Sequence, residues 1–488
     1  MHKPIVIKAT DLRKLHFCHR QAWLDIHGDV SEQDQLPEQQ IIRLIEGKSH
    51  ERRVHEATTP EVTQVAISSW REGVEMTREF FAKGGRTLLG AYLEAQAAID
   101  GIPIRVLGRP DRLVRVGYHN DMPVYAPVEI KHRHEVSAAD ELQLDCYVWL
   151  LGQIQGVSPP AEFWMGRGAN GYPAERIKHQ YDGNRLQQAI MQLVRYHLDH
   201  DDEPDVYIDS RCSRCRWFSA CRSKAQATFD ISLIFRLRQD SAKALKAANI
   251  WTLDQVVRLE PQALRRFKGI KTTAEQFHAH ARAWLQDEPV FYRPLPSVCV
   301  GDAWHVDTEY DPETQILWSI GWSRNDEAPY IVLVAPDQSS RITMLPSGLT
   351  VQIVATTDEA WQSFADAVSG DNLPIFHWGP ADRTMLKTSA PADIRYQLEK
   401  RFTDLNRIFE QTVQLPVYGM TIKVVGEYLG FTWSAYNSPF AAFGDYQRWL
   451  AMGDEDALAR LSAYQSDDVT ALAIARSWLV DNHPYHEG

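Results

Sequence analysis

Two short apolar runs carry charged side chains at alternate positions. PVEIKHR holds Glu129 and Lys131, and HVDTEYD holds Asp307 and Glu309. Residues i and i+2 of a strand face the same side. Each run is therefore predicted to be a sheet strand that sets two ionisable groups side by side. Such pairs, once a further carboxylate joins them, suit a divalent metal, which lowers the pKa of a bound water and stabilises charge on a reacting phosphate.

The rest of the sequence bounds what surrounds these strands. At ~150 residues per domain, 488 residues suggest about three domains. Hydrophobic residues make up 44%, charged 24% and aromatic 10%, an ordinary globular mix. Mean hydropathy is −0.36, and no apolar run approaches the ~18 residues of a membrane span. The start, MHKPIVIKATDLRKLHF, lacks the apolar stretch of a secretory signal. Six cysteines in such a chain fit a reducing, cytoplasmic compartment. The net charge of −12 is unevenly spread: residues 291–488 hold 13 basic and 26 acidic groups, whereas 229–290 hold 10 basic and 7 acidic. An acidic total does not exclude a nucleic-acid partner, because local patches decide binding.

Pattern divides the chain into three parts. Residues 1–228 read as mixed α/β, with helical stretches at 37–57 and 67–97. GIPIRVLGRPDRLVRV alternates like a strand pair, and ELQLDCYVWLLGQI is an amphipathic helix. Residues 229–290 read as short helices. Residues 291–488 begin with strands around AWHVDTEYD, ILWSIGWS and YIVLVAP and finish in helices.

In the first part, Asp111 of GRPDRL precedes Glu129 and Lys131 in the form D-x17-E-x-K. Upstream, EGKSHE offers His50 as a further ligand. Downstream, Gln143 and Tyr147 share a helical face, suited to contacting phosphate and the strand. In this order the motifs G-x-x-H-E, G-R-P-D, E-x-K and Q-x-x-x-Y resemble the RecB-type nucleases of the PD-(D/E)xK superfamily. The resemblance implies a restriction-endonuclease-like core and an Mg2+ or Mn2+ ion held by His50, Asp111 and Glu129.

Cys212, Cys215 and Cys221 form C-x2-C-x5-C, and Cys18 lies far upstream in CHRQAWL. Four sulfurs suit either zinc or an iron–sulfur cluster. One distant cysteine plus this triplet resembles the iron–sulfur branch of the RecB-type nucleases, which implies a structural [4Fe–4S] cluster, with zinc as the alternative. Cys146 and Cys299 stand alone and read as buried small hydrophobes. In the middle part, Arg265, Arg266, Lys268, Gly269 and Lys271 cluster between two helices. They resemble a helix-hairpin-helix that grips DNA phosphates.

In the third part, Asp307, Glu309, Asp382 of FHWGPAD and Asp468, with Tyr464 four residues earlier, follow the order D-x-E, D, Y-x-x-x-D. DLN at 404–406 and TIKVVGEYLGF accompany them. This resembles the DEDD exonucleases with an RNase H-like fold, although FHWGPAD departs from their usual N-x-x-F-D. The expectation is a two-site, Mg2+- or Mn2+-dependent nuclease. One site would cleave DNA, in single strands or at ends, and the other would trim 3′ ends, beside a helicase in related systems. The competing expectations are a C-terminal ribonuclease, or a nucleic-acid-binding protein whose acidic sites are idle.

Overall fold

The computed structural model describes residues 3–36, 38–58, 63–64, 69–311 and 314–484. The chain is a mixed α/β multidomain protein that divides into two compact units, Met1–Lys224 and Ala225–Gly488. Among the described residues, no helix is long and apolar enough to cross a membrane.

The first unit has two sheets among its described residues. The larger runs in the order Thr63–Gln64, Thr87–Leu89, Arg112–His119, Met122–Lys131, Ala161–Arg167, Pro173–His179. The smaller runs Ile5–Lys8, Ile102–Gly108, Leu93–Ile99. The expected strand pair within GIPIRVLGRPDRLVRV is two strands in different sheets. Pro110 has no N–H to give to a ladder, so the chain leaves one sheet and enters the other there. Each strand instead pairs with its neighbour through a two-residue turn at positive φ, Asp100–Gly101 in one case and Asn120–Asp121 in the other.

The expected helix over 67–97 is also shorter. It spans Trp70–Ala82, and Gly84 (φ +65°) turns the chain into strand. Helix Ala138–Gln155, expected to be amphipathic, is buried nearly all round, since Ala9–Phe17, Gly183–Leu198 and both sheets pack on it. Ser137 and Asp140 cap its start reciprocally, and Gly156 closes its end in the left-handed conformation. Gly108 lets this helix approach the smaller sheet: a Cβ there would lie 2.6 Å from Leu150 and 2.8 Å from Tyr147.

In the second unit, residues 229–290 form short helices, ending in Ala274–Gln286. The sheet that follows has seven strands among the described residues. Their order is Arg341–Met344, Thr350–Val354, Tyr330–Val334, Leu317–Arg324, Trp304–Tyr310, Ile375–His377, Phe402–Asp404. Leu317–Arg324 is antiparallel to both neighbours, while Ile375–His377 is parallel to both of its own.

The alternation of each strand splits its side chains between two cores. Val306, Ile320, Trp322 and Val332 pack with helix Thr357–Ala367 on one face. Ile331, Leu333 and Ile353 pack with Pro439–Met452 and Glu455–Asn482 on the other, and Trp318 joins them because the pairing shifts register opposite Glu309 and Tyr310, which breaks the alternation before Ile320.

Gly321 pairs with Asp307 across the ladder, and the long helix lies directly on it. A Cβ at Gly321 would come within 2.9 Å of Gln465 Cγ and 3.1 Å of Val469 Cγ2. Gly321→Val should therefore push the helix off the strand. We expect a loss of about 1–3 kcal/mol, read by denaturant unfolding.

Candidate active sites

The strand Trp304–Tyr310 turns Asp307 and Glu309 to the face covered by helix Glu455–Asn482, which supplies Asp468. One oxygen from each of these three carboxylates lies within 4.8 Å of the other two. The set fits a metal: three hard oxygen donors converge, and each is costly to ionise without a cation. The surrounding protein, together with Asp382, Asp468 and Glu309, pushes Asp307 well above the ordinary carboxylate range. Glu309 is pushed up to about 8 by burial and by Asp468. Burial also raises Asp468, against the opposing pull of Lys423. The Tyr464 hydroxyl bonds within this group and is held protonated by burial and by Glu309.

Asp382 stands apart from the three. It sits at the start of helix Pro380–Ser389, where its Oδ1 accepts from Thr308 N at 2.9 Å and from Thr308 Oγ1 at 2.8 Å. His377 Nδ1 lies 3.8 Å from its other oxygen.

Sequence reasoning missed three residues that shape this site. Gln465 Nε2 donates to Asp307 Oδ2 at 2.6 Å, Trp433 Nε1 donates to Asp468 Oδ1 at 2.7 Å, and Lys423 Nζ donates to that same oxygen. Lys423 lies inside TIKVVGEYLGF, and Gln465 and Trp433 also belong to helices or turns beside the motifs, yet none has a spacing that singles it out. The DLN segment holds the scaffold around them. Asp404 accepts from Gly379 N at 3.0 Å, and Asn406 donates to the carbonyl of Met420, just ahead of helix Ile422–Tyr428.

In the first unit, the hairpin Arg112–His119 with Met122–Lys131 brings Asp111 beside Glu129. Asp111 N donates to Glu129 Oε1 at 3.4 Å, Ile130 N donates to Asp111 Oδ2 at 2.9 Å, and Lys131 Nζ donates to Glu129 Oε2 at 2.6 Å. Burial and Glu129 push Asp111 well above its ordinary range. Burial works against the Lys131 ammonium, but Glu129 and Asp111 outweigh it and hold its pKa up.

His50 comes from helix Glu38–Thr58 to the same neighbourhood. Burial and His132 lower its pKa to about 4, and its Nε2 is buried without a hydrogen-bond partner. A neutral imidazole with an open nitrogen is what a metal ligand requires. Glu51, which sequence reasoning passed over, also acts on the Asp111 charge. Gln143 Nε2 donates to the Tyr147 hydroxyl at 2.7 Å, and that hydroxyl donates to the Arg109 carbonyl at 3.1 Å.

The cysteine segments also meet. Cys18 caps helix His19–His27 and lies close enough to act electrostatically on Cys212, Cys215 and Cys221. Trp217 Nε1 donates to Asp25 at 2.7 Å, and Arg20 pairs with Glu203 at 2.7 Å, tying the first segment of the unit to its last. Cys18, Cys212 and Cys215 sulfurs each accept a backbone N–H at 3.4–3.5 Å. Burial raises Cys212 to about 12 and Cys215 to about 11. Among the described residues, no three of these sulfurs close to within 4.8 Å of one another. Cys146 and Cys299 are buried.

In the turns between helices Pro261–Leu264 and Ala274–Gln286 of the second unit, Gly269 has φ +77°, and a Cβ there would meet Ser241 Oγ at 2.5 Å. Arg265 pairs with Glu275 at 2.7 Å and Lys268 with Asp240 at 3.5 Å, while Arg266 and Lys271 are exposed.

No curated protein matches the sequence. A profile of the RNase_H_2 family, in the RNase H superfamily, matches residues 342–480. The C-terminal region is RNase H-like. The matched span includes Asp382, Lys423, Tyr464 and Asp468 and begins after the strand that carries Asp307 and Glu309. Such a domain points to a nuclease-type activity on nucleic acid, and RNase H-like nucleases use divalent metals such as Mg2+.

Among solved structures, the crystal structure of SSO0001 is 11% identical, over 45% of this chain and 87% of that one, with a TM-score of 0.25. Scheffersomyces stipitis Rai1, in complex with (3'-NADP)+ and calcium ion, is 10% identical over 46% of this chain and 62% of its own, with a TM-score of 0.15. Overlaps this slight bear on neither fold nor function.

The raised Glu309 gives a pH signature. Its proton is held more tightly in the folded chain than in the unfolded one, so its contribution favours folding below its ordinary value of about 4.5 and is lost as pH rises toward about 8. In EDTA, the thermal midpoint of the full chain should carry this downward slope. Glu309→Gln should flatten it, and Mg2+ should lift the high-pH end. An identical slope in parent and Glu309→Gln would show that Glu309 is not the titrating group.

Proposed function

We propose that this protein is a metal-dependent nuclease with two hydrolytic sites. The observation that carries the reading is the convergence of Asp307, Glu309 and Asp468 in an RNase H-like domain. These carboxylates would hold Mg2+ or Mn2+, with Asp382 beside them, in a DEDD-type site that trims 3′ ends. A bound ion supplies Lewis acidity and a water of lowered pKa. Tyr464, kept protonated, orients the attacking water through its hydroxyl. Gln465 and Trp433 fix the carboxylate planes.

For the first unit we infer a RecB-type site of the PD-(D/E)xK superfamily. His50, Asp111 and Glu129 would be the metal ligands. Lys131 would steady charge on the phosphate, and Gln143 and Tyr147 would brace the strand. The unpartnered His50 Nε2 and the hydrogen-bonded Asp111–Glu129–Lys131 set support this reading.

DNA, in single strands or at ends, is the inferred substrate. Arg266 and Lys271 of the helical segment would contact its phosphates, with Arg265, Lys268 and Gly269 shaping the turn. On this reading the helical segment 229–290 is a DNA-binding domain between a nuclease domain, 1–228, and an exonuclease domain, 291–488. For the cysteines we infer a [4Fe–4S] cluster. The resemblance of Cys18 with the C-x2-C-x5-C triplet to the iron–sulfur branch supports this over zinc, and the N–H groups on three sulfurs suit thiolates.

Separate substitutions should divide the activities. Asp307→Asn with Glu309→Gln should remove only the loss of a 3′ label, by 100-fold or more (roughly several kcal/mol of transition-state stabilisation). Lys131→Ala should remove the remaining cleavage of 5′-labelled strands. If the Asp307/Glu309 variant releases the 3′ label at the parental rate, the C-terminal site is not a nuclease.

The cluster has its own assay. Protein purified without oxygen should be brown, with iron and acid-labile sulfide in similar amounts. Cys215→Ala should lose the colour and lower the thermal midpoint, since the staple closes a loop of ~200 residues. Stoichiometric zinc without iron would defeat this assignment.

A further inference from the structure

Lys423 is the one cation whose ammonium touches the described carboxylate group of the C-terminal site. Its Nζ donates to Asp468 Oδ1, beneath a second donor to that oxygen, Trp433 Nε1, at 2.7 Å. It lies 4.2 Å from the centroid of Tyr464 and 4.6 Å from that of Trp433, so two aromatic rings box it in. The side chain is part-buried, and helix Ile422–Tyr428, capped by Thr421, anchors its stem. An ammonium held this way is preorganised, and of its three N–H groups only one is spent on Asp468.

The other carboxylates argue in the same direction. Gln465 occupies Asp307 Oδ2, and Thr308 occupies Asp382 Oδ1 through both its N–H and its hydroxyl. Among the described residues, Asp307, Glu309 and Asp468 are the group of three or more metal-ligating side chains whose ligand atoms lie within 4.8 Å of one another, a set for one ion. A second divalent ion on Asp468 would press against the Lys423 ammonium, like charge on like.

We propose that the C-terminal site binds a single divalent ion and that Lys423 supplies the second cation, with its free N–H groups directed to a phosphate oxygen of the substrate. This rests on the nuclease reading above and specifies its cation count.

The test counts Mn2+ bound per full-length chain, from the free Mn2+ signal in electron paramagnetic resonance. Ions elsewhere in the chain cancel in the difference between parent and the Asp307→Asn/Glu309→Gln variant. A loss of one ion supports the proposal. A loss of two overturns it and leaves the nuclease reading standing, whereas a loss of none overturns both. Lys423→Met should admit one additional Mn2+, and Lys423→Arg should keep the parental count. A Lys423→Met chain that is folded by circular dichroism and binds no additional ion would overturn the proposal. Should Lys423→Met fail to fold, the parental difference count decides by itself.

Discussion

Carboxylates packed side by side in protein repel each other and lose their water, and the second unit is organised around relieving that cost. Asp307 and Glu309 face one way because strand side chains alternate. Asp468 joins them only because the long helix lies flat on the sheet. That contact depends on Gly321, the one position across from Asp307 where any side chain would stand in the helix's path. Relief then comes piecemeal: an amide on Asp307, an indole and an ammonium on Asp468, a threonine on Asp382. None of these neutralises Glu309, whose raised pKa records the deficit.

The first unit solves the same problem with a different economy of residues. Its acidic pair, Asp111 and Glu129, is met by Lys131 on the same strand face, two residues along, so the counter-charge is built into the strand itself. His50 arrives from a separate helix and is kept neutral by burial and by the cations around it. In the second unit the lysine comes instead from a helix far along the chain. One arrangement is local and can be read from a tripeptide. The other needs the tertiary fold.

That difference sets how much was legible beforehand. The i, i+2 pairs at 129/131 and 307/309 were readable because strand geometry is local and the period of two is strict. The meeting of the cysteine segments and the RNase H-like character of the C-terminal part were implied by the resemblance of their motifs to known nucleases, since spacing by itself does not bring distant segments together. The partner of each strand in 101–116 was not readable. Pro110 marks a break but does not say that the chain changes sheets. The helix expected over 67–97 failed for a related reason: its apolar positions fit either period, and the Gly84 turn decides between them. Gln465 and Lys423 escaped because a lone polar residue on a helix looks solvent-facing until its neighbour across the fold is known, and Trp433, in the irregular chain after Ile422–Tyr428, reads as a core aromatic whose N–H has no visible partner. Asp382 was found by order alone, and its Thr308 bonds could not have been anticipated.

Charge distribution closes the physical picture. Residues 291–488 carry 13 basic against 26 acidic groups, a surplus that repels a polyanion. The helical segment ahead of them looks like the natural attractant, yet Arg265 and Lys268 already face Glu275 and Asp240, which halves the hairpin's free charge. Within the second unit's acidic site, the cation at hand is Lys423, lodged against Asp468. A divalent ion there would offset most of the charge that Asp307, Glu309, Asp382 and Asp468 carry beside Lys423, while the acidic groups around it still repel a polyanion. The acidic surplus therefore does not by itself oppose a nucleic-acid substrate, because contact is decided by local charge rather than by the domain total.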